Sequence, residues 1–229
     1  MFSRIKKALS GAPREDVSPS TAQQSRLSEW AGLQGLELEE GAKAAGFQLS
    51  GKVGPKTWRL ESGRPSRDFI HGEELRARAD LGLNPDIAIM VINRPLMETL
   101  EQKAFKQYTD GLQTTMNASL SEEMRWLTMY EAVNHSAWGV DFRQRMAVVS
   151  QDPVHAQRWL DSTLTHGLLH WPSELTVPQS PLVLTIARGK AYLRMQYQPA
   201  DIPTLEHAVR VFVWACESAL GTLSVDIQA

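Results

Sequence analysis

Between residues 73 and 81 the chain reads "EELRARADL", in which Leu75, Ala77, Ala79 and Leu81 alternate with Glu74, Arg76, Arg78 and Asp80. Successive side chains of a strand point to opposite faces, so this period of two makes one apolar and one charged face, a split that no helix reproduces. The next segment, "DIAIMVINRP", is apolar on both faces from Ile87 to Ile92, as in a central strand covered on two sides. The first feature needs a strand with one wet and one dry face, the second a strand covered on both.

Other segments add strands and helices, and whether the early and late strands share one sheet is left open by the sequence. "FQLSGKV" and "KTWRLES" alternate around Gly54 and Pro55, and "PLVLTIARGKAYLRMQYQ" turns near Arg188 and Gly189, so each reads as a hairpin. "FRQRMAVVS" supplies a further strand. Helical periods occupy a brief stretch around Leu27, Trp30 and Ala31, then "LMETLEQKAFKQYTDGL" and "LSEEMRWLTMYEAV". The last of these opens with Ser119 three residues before Glu122, the spacing of a capping box. In "DPVHAQRWLDSTLTHGLLHW" Asp152 suits the cap and Pro153 the first helical position, and "IPTLEHAVRVFVWACESALG" predicts a long buried helix stopped by Gly221. Neighbouring strands joined mainly by short turns predict an α+β fold: a mixed or mainly antiparallel sheet with helices packed on one face, not a doubly wound one.

The domain is expected over residues 27–221, followed by a C-terminal tail, 222–229. Residues 10–26, "SGAPREDVSPSTAQQSR", hold two prolines, several serines and no apolar period, so residues 1–26 read as a flexible tail. Its opening, "MFSRIKKAL", puts Phe2, Ile5 and Leu9 on one helical face and Arg4, Lys6 and Lys7 mostly on the other. Such a basic amphipathic segment suits weak contact with an anionic membrane or docking on a partner, or it is a frayed terminus. No apolar run approaches the length of about 20 residues that a spanning helix needs, and the start lacks the apolar core of a secretory signal. These features predict a soluble, cytoplasmic protein, peripheral at the inner face of the membrane if the opening segment binds lipid.

Composition removes several functions. A net charge of −2 over 229 residues is too acidic for a large phosphate footprint, so no nucleic-acid partner is expected. The single Cys216 excludes an intramolecular disulfide and a multi-cysteine zinc site, and it lies in an apolar run suited to a buried thiol. There is no G-x-S-x-G elbow, Walker loop or G-x-G-x-x-G turn, and "GKVGPKTW" lies within a hairpin. His166 and His170 share a helix face, with His155 or Glu174 as possible third ligands, but "HGLLH" has glycine where a zinc hydrolase carries its general base. No metal and no cofactor are therefore expected. Trp126, Trp159 and Trp214 fall in helical apolar stripes, while Trp138 and Trp171 lie beside loops and read as anchors or ligand platforms.

One stretch keeps a claim to function. "WRLESGRPSRDFIHGEELRARADL", residues 58–81, holds Arg59, Arg64, Arg67, Arg76 and Arg78 beside Glu61, Asp68, Glu73, Glu74 and Asp80. Read as a site, the guanidinium groups suit bidentate contact with a carboxylate or phosphate, above all Arg64 and Arg67 in their turn. Read as surface, nearly one carboxylate per arginine is what opposite charges across neighbouring strands need. Together with "FRQRMAVVSQDPVHAQRWL" and "LVLTIARGKAYLRM", this stretch resembles a group of uncharacterised bacterial proteins, mainly proteobacterial. The resemblance spans about residues 28–220 and implies one folding unit without an activity.

The functional expectation is a non-enzymatic binding or adaptor protein that offers the arginine-rich turn and a sheet edge to a protein partner. One alternative is an enzyme acting on an anionic small molecule, with Glu73, Glu74 or His71 moving protons. Another is a peripheral membrane protein held by residues 1–9.

Overall fold

In the computed structural model the described residues are 21–40, 46–110, 120–172, 180–199 and 201–224. Helix α1 (Thr21–Leu33) leads into strands β1 (Glu37–Glu40), β2 (Phe47–Val53), β3 (Lys56–Gly63), β4 (Glu73–Asp80) and β5 (Ile89–Asn93). Then come α2 (Arg94–Asp110), α3 (Glu122–Met129), α4 (Gly139–Arg145), β6 (Met146–Ser150), α5 (Pro153–Trp159) and α6 (Ser162–Leu169). The hairpin β7 (Leu182–Ala187) and β8 (Lys190–Tyr197) precedes α7 (Ile202–Thr222).

The strands form one sheet in the order β1-β2-β3-β4-β8-β7-β5-β6, and each described pairing is antiparallel. The fold is α+β. The late hairpin sits between β4 and β5, so it joins the two halves of the chain into a single sheet. Both expected turns form. At the second, Arg188 and Gly189 take φ of 52° and 76°, and a Cβ on Gly189 would lie 2.8 Å from the Leu83 carbonyl oxygen. Glycine there meets a conformational and a steric need at once.

Burial follows the period of two. Leu75, Ala77 and Ala79 of β4, with Leu182, Leu184 and Ile186 of β7 and Leu193 of β8, face a core closed by α7, α5 and α6, in which Phe212, Trp159 and Leu164 are fully buried. This helical layer occupies one face, as expected. The opposite face is not uniform. Met90 and Ile92 of β5, Ala147 and Val149 of β6 and Val183 of β7 form a second cluster with Leu96 and Leu100 of α2 and Met124 of α3. Two helices thus cover the second face over β5, β6 and β7, because strands apolar on both sides need a cover on both. Over β4 and β8 that face stays polar.

Several local expectations are corrected. Helix α1 begins at Thr21, inside the stretch expected as a tail, and Leu27 and Ala31 bury its core-facing side. At the other end α7 passes Gly221 to Thr222, and its cap residue Leu223 is fully buried, so the C-terminal boundary lies beyond residue 221. The first half of "FRQRMAVVS" is helical, in α4, and the strand begins at Met146. "DPVHAQRWLDSTLTHGLLHW" breaks into two helices, because Asp161 caps α6 by accepting from the Leu164 N–H at 2.8 Å, just as Asp152 caps α5. Ser119 lies outside the described residues; the cap of α3 is Ser121, whose hydroxyl accepts from Met124 N–H at 3.2 Å. Residues 2–9, which hold the amphipathic segment, also lie outside the described residues. No helix among the described residues is long and apolar enough to cross a membrane.

Candidate functional site

Strand register decides what the arginines can do. On the uncovered part of the second face, Arg59 of β3 lies directly opposite Arg78 of β4, and Arg78 in turn lies opposite Tyr192 of β8. One step along, Glu61, Arg76 and Arg194 form the neighbouring row. The expected alternation of opposite charges across the strands is therefore absent at two positions, where arginine faces arginine. Like charges at the short separation of a cross-strand pair repel unless something compensates them.

The second pair is compensated from within. Arg76 meets Glu61 at 3.4 Å, and Arg194 binds Glu74 through Nη1 while its Nε lies 3.9 Å from Glu123. Glu74, expected on the open face, is fully buried. The β3–β4 connection explains this. It folds back over the carboxylate, so that the Ser66 N–H donates to Glu74 Oε2 at 2.5 Å, and Ser66 Oγ also bonds Arg194. The same turn sends Arg67 inward, where its Nε donates to both oxygens of Glu123 at 2.9 and 3.0 Å. Glu123 sits in the first turn of α3, where the helix dipole favours an acid, and its side chain is only 8% exposed. Two carboxylates and two arginines thus tie the turn, the sheet and α3 together.

The first pair is not compensated. No hydrogen bond or ion pair joins the guanidinium of Arg59 or Arg78 to another described residue, and both residues are exposed. Arg64 is exposed at the turn and equally without a partner among the described residues. Nearby, Arg76 Nε is shielded from solvent and has no acceptor. The edge acids do not serve these groups: Glu37 accepts from Ser50 Oγ at 3.2 Å and Glu39 from Gln48 Nε2 at 3.0 Å.

Where α3 ends its cover, a cavity of about 200 Å³ opens between Trp126, Tyr192, Thr185, Arg67 and Arg194. Arg188 reaches its rim and pairs with Glu122 at 3.0 Å. Tyr192 belongs both to this cavity and to the row of Arg59 and Arg78, so the cavity and the open arginine pair are neighbours.

Of the arginines singled out in the sequence, Arg59, Arg76 and Arg78 thus share one face, Arg67 belongs to the cavity wall, and Arg64 stands apart. The sequence reading missed Arg194, Glu123, Tyr192 and Trp126. The groups proposed as proton carriers do not converge: Glu73 accepts from Ser62 Oγ at 2.7 Å, and His71 is exposed, its backbone N–H donating to Gln196 Oε1 at 3.1 Å. His166 and His170 stack with ring centroids 4.0 Å apart, Glu174 lies outside the described residues, and no group of three metal-ligating side chains occurs among the described residues. Trp138 and Trp171 act as anchors, donating to the Leu160 and Leu168 carbonyls at 3.1 Å each.

No family model matches the chain, and no curated protein matches its sequence. Among solved structures, the mycobacterial trehalose monomycolate transport factor A, TtfA, superposes with a TM-score of 0.45 at 7% identity, over 87% of this chain and 95% of that one. A likeness at that level carries no argument about activity.

Proposed function

We propose that this chain is a cytoplasmic binding protein that takes an acidic segment of a partner protein on the open part of the sheet's second face. One observation carries the reading: Arg59 and Arg78 stand opposite each other, exposed and without a counter-ion among the described residues. Repulsion between them is a cost that an incoming carboxylate would relieve while forming charge-assisted, bidentate contacts. Tyr192 beside Arg78 adds a flat surface with a hydroxyl, a residue type favoured in recognition surfaces. The recognition site centres, on this reading, on the face of β3, β4 and β8 and not on the Arg64–Arg67 turn, since Arg64 stands apart from the exposed pair and Arg67 turns inward, its Nε on Glu123.

The test is fluorescence anisotropy of a labelled aspartate- and glutamate-rich peptide, beside its asparagine and glutamine isostere, with the full-length chain. The acidic peptide binds, binding weakens with salt, and Arg59→Glu with Arg78→Glu weakens it by at least about tenfold through lost contacts and new repulsion. Equal binding of both peptides, or an unaffected double variant, contradicts the reading.

A further inference from the structure

The ion pairs of Arg67 and Arg194 leave guanidinium donors over. Arg67 spends Nε on Glu123, and its Nη1 and Nη2 hold no acceptor among the described residues. Arg194 spends Nη1 on Glu74 and Ser66, and its Nη2 is likewise free among them. Both side chains line the same cavity, and both are largely shielded, at 25% and 23% exposure. The carboxylates therefore fix the direction of each fork, and the remaining donors are arranged before any ligand arrives. That is the arrangement in which outer partners orient the groups that bind.

We infer that this cavity is a seat for one carboxylate group, held by the free ends of Arg67 and Arg194 between Trp126 and Tyr192. The inference rests on the acidic-segment reading above and assigns one carboxylate of that segment to a defined place. Size supports a single group: about 200 Å³ is below the roughly 300–1,000 Å³ of pockets that enclose whole small molecules. Charge disfavours a dianion: Arg67, Arg188 and Arg194 are already balanced by Glu74, Glu122 and Glu123, so a phosphoryl group would bring two further negative charges and a carboxylate only one, with Arg78 and Arg59 beyond Tyr192 as the nearest open cations. Guanidinium donors match carboxylate and phosphate oxygens alike, so size and charge make the choice between them. Through Tyr192 the seat adjoins Arg78, so an extended acidic segment could place one carboxylate in the cavity and the next over the open arginine pair.

Propionate and methylphosphonate, at a pH above the second ionisation of the phosphonate so that it is a dianion, are the probes for the two chemistries, followed by nitrogen-15 resonances of arginine Nε in the full-length protein. Arg67→Lys and Arg194→Lys assign the two signals while keeping a positive charge beside Glu123 and Glu74. Propionate shifts the Arg67 and Arg194 signals saturably, moves the indole N–H signal of the cavity-lining Trp126 and leaves exposed Arg125 unmoved; the double lysine variant, still folded by its unfolding midpoint, loses the Trp126 shift. Should the lysine pair fail to fold, Trp126→Phe gives the same separation by removing a cavity wall without touching the charges. Shifts that never saturate, that are shared by all arginines, or that follow methylphosphonate alone overturn the seat. Peptide binding that survives in the lysine pair but not in the Arg59 and Arg78 reversal would overturn the seat alone and leave the sheet-face reading standing.

Discussion

The buried carboxylate of Glu74 is the sharpest point at which this account meets stability. Glu74→Ala removes the acceptor of the Ser66 N–H, 2.5 Å away, and the partner of Arg194 Nη1. Removing one partner of a buried ion pair costs about 3–5 kcal/mol, because the other charge is left without compensation. Arg194 keeps 23% exposure and Glu123 3.9 Å from its Nε, which favours the lower end, about 3 kcal/mol. In a chain of this size each kcal/mol moves Tm by about 2–4 °C, so a fall of roughly 6–12 °C is expected. Glu74→Gln keeps an acceptor for the Ser66 N–H and loses only the charge, and should fall between. The control is Glu61→Ala, which breaks a pair at 3.4 Å whose carboxylate is 49% exposed; about 0–1 kcal/mol is expected there. Urea unfolding followed by circular dichroism measures all three. A Glu74→Ala protein within about 1 kcal/mol of wild type, no worse than Glu61→Ala, would refute the claim that this network ties the turn and the sheet together.

Two further outcomes test the core. Burial holds the His207 imidazole below its usual 6.5, against the Gly167 carbonyl it contacts at 2.7 Å, with Arg210, His166 and His170 adding to the depression. The unfolded chain therefore takes up this proton more readily. The stability it confers is complete above the unfolded value and is lost as pH falls from there through the folded one, so the urea midpoint should drop as pH falls below the usual 6.5. His207→Gln should flatten part of that drop, and an unchanged slope would remove His207 as its source. Burial also pushes the Cys216 thiol up to about 12, so an aromatic disulfide reagent should label it only as fast as the protein unfolds. Rapid labelling of the folded protein at neutral pH would contradict the packing of α7.

Much of the architecture is legible in the sequence because it depends on local period. The alternation at 73–81 marks β4, and the doubly apolar Ile87–Ile92 run marks β5. That run also demanded cover on two faces, which sits uneasily with helices on one face only; α2 and α3 supply the second cover over part of the sheet. Helix ends were harder. Asp161 and Ser121 each cap a helix, but other polar residues nearby offer the same signal, and only packing chooses among them.

The site was legible in composition and not in geometry. Five arginines in residues 58–81 drew attention to the region, whereas the facing of Arg59 and Arg78 depends on hairpin register. Arg194 reaches Arg76 only because the late hairpin inserts beside β4, a pairing across more than a hundred residues that no local pattern encodes. Glu74 is the clearest lesson. Alternation assigns its side of the strand correctly, but a turn closing over that side buries it. Glu123 left a trace in the sequence, since it directly precedes Met124 of the apolar stripe, though acids in a first helical turn are common enough to hide it.

The central claim is that an acidic segment lies across β3, β4 and β8 on the face opposite α7. Backbone amide shifts in the nitrogen-15-labelled full-length protein, recorded as the aspartate- and glutamate-rich peptide is added, locate that contact directly. The account predicts changes centred on Arg59, Arg78 and Tyr192 and reaching Trp126 of α3, with none along α7. Changes confined to Arg64 and its turn, or spread along α7 and α5, would contradict it.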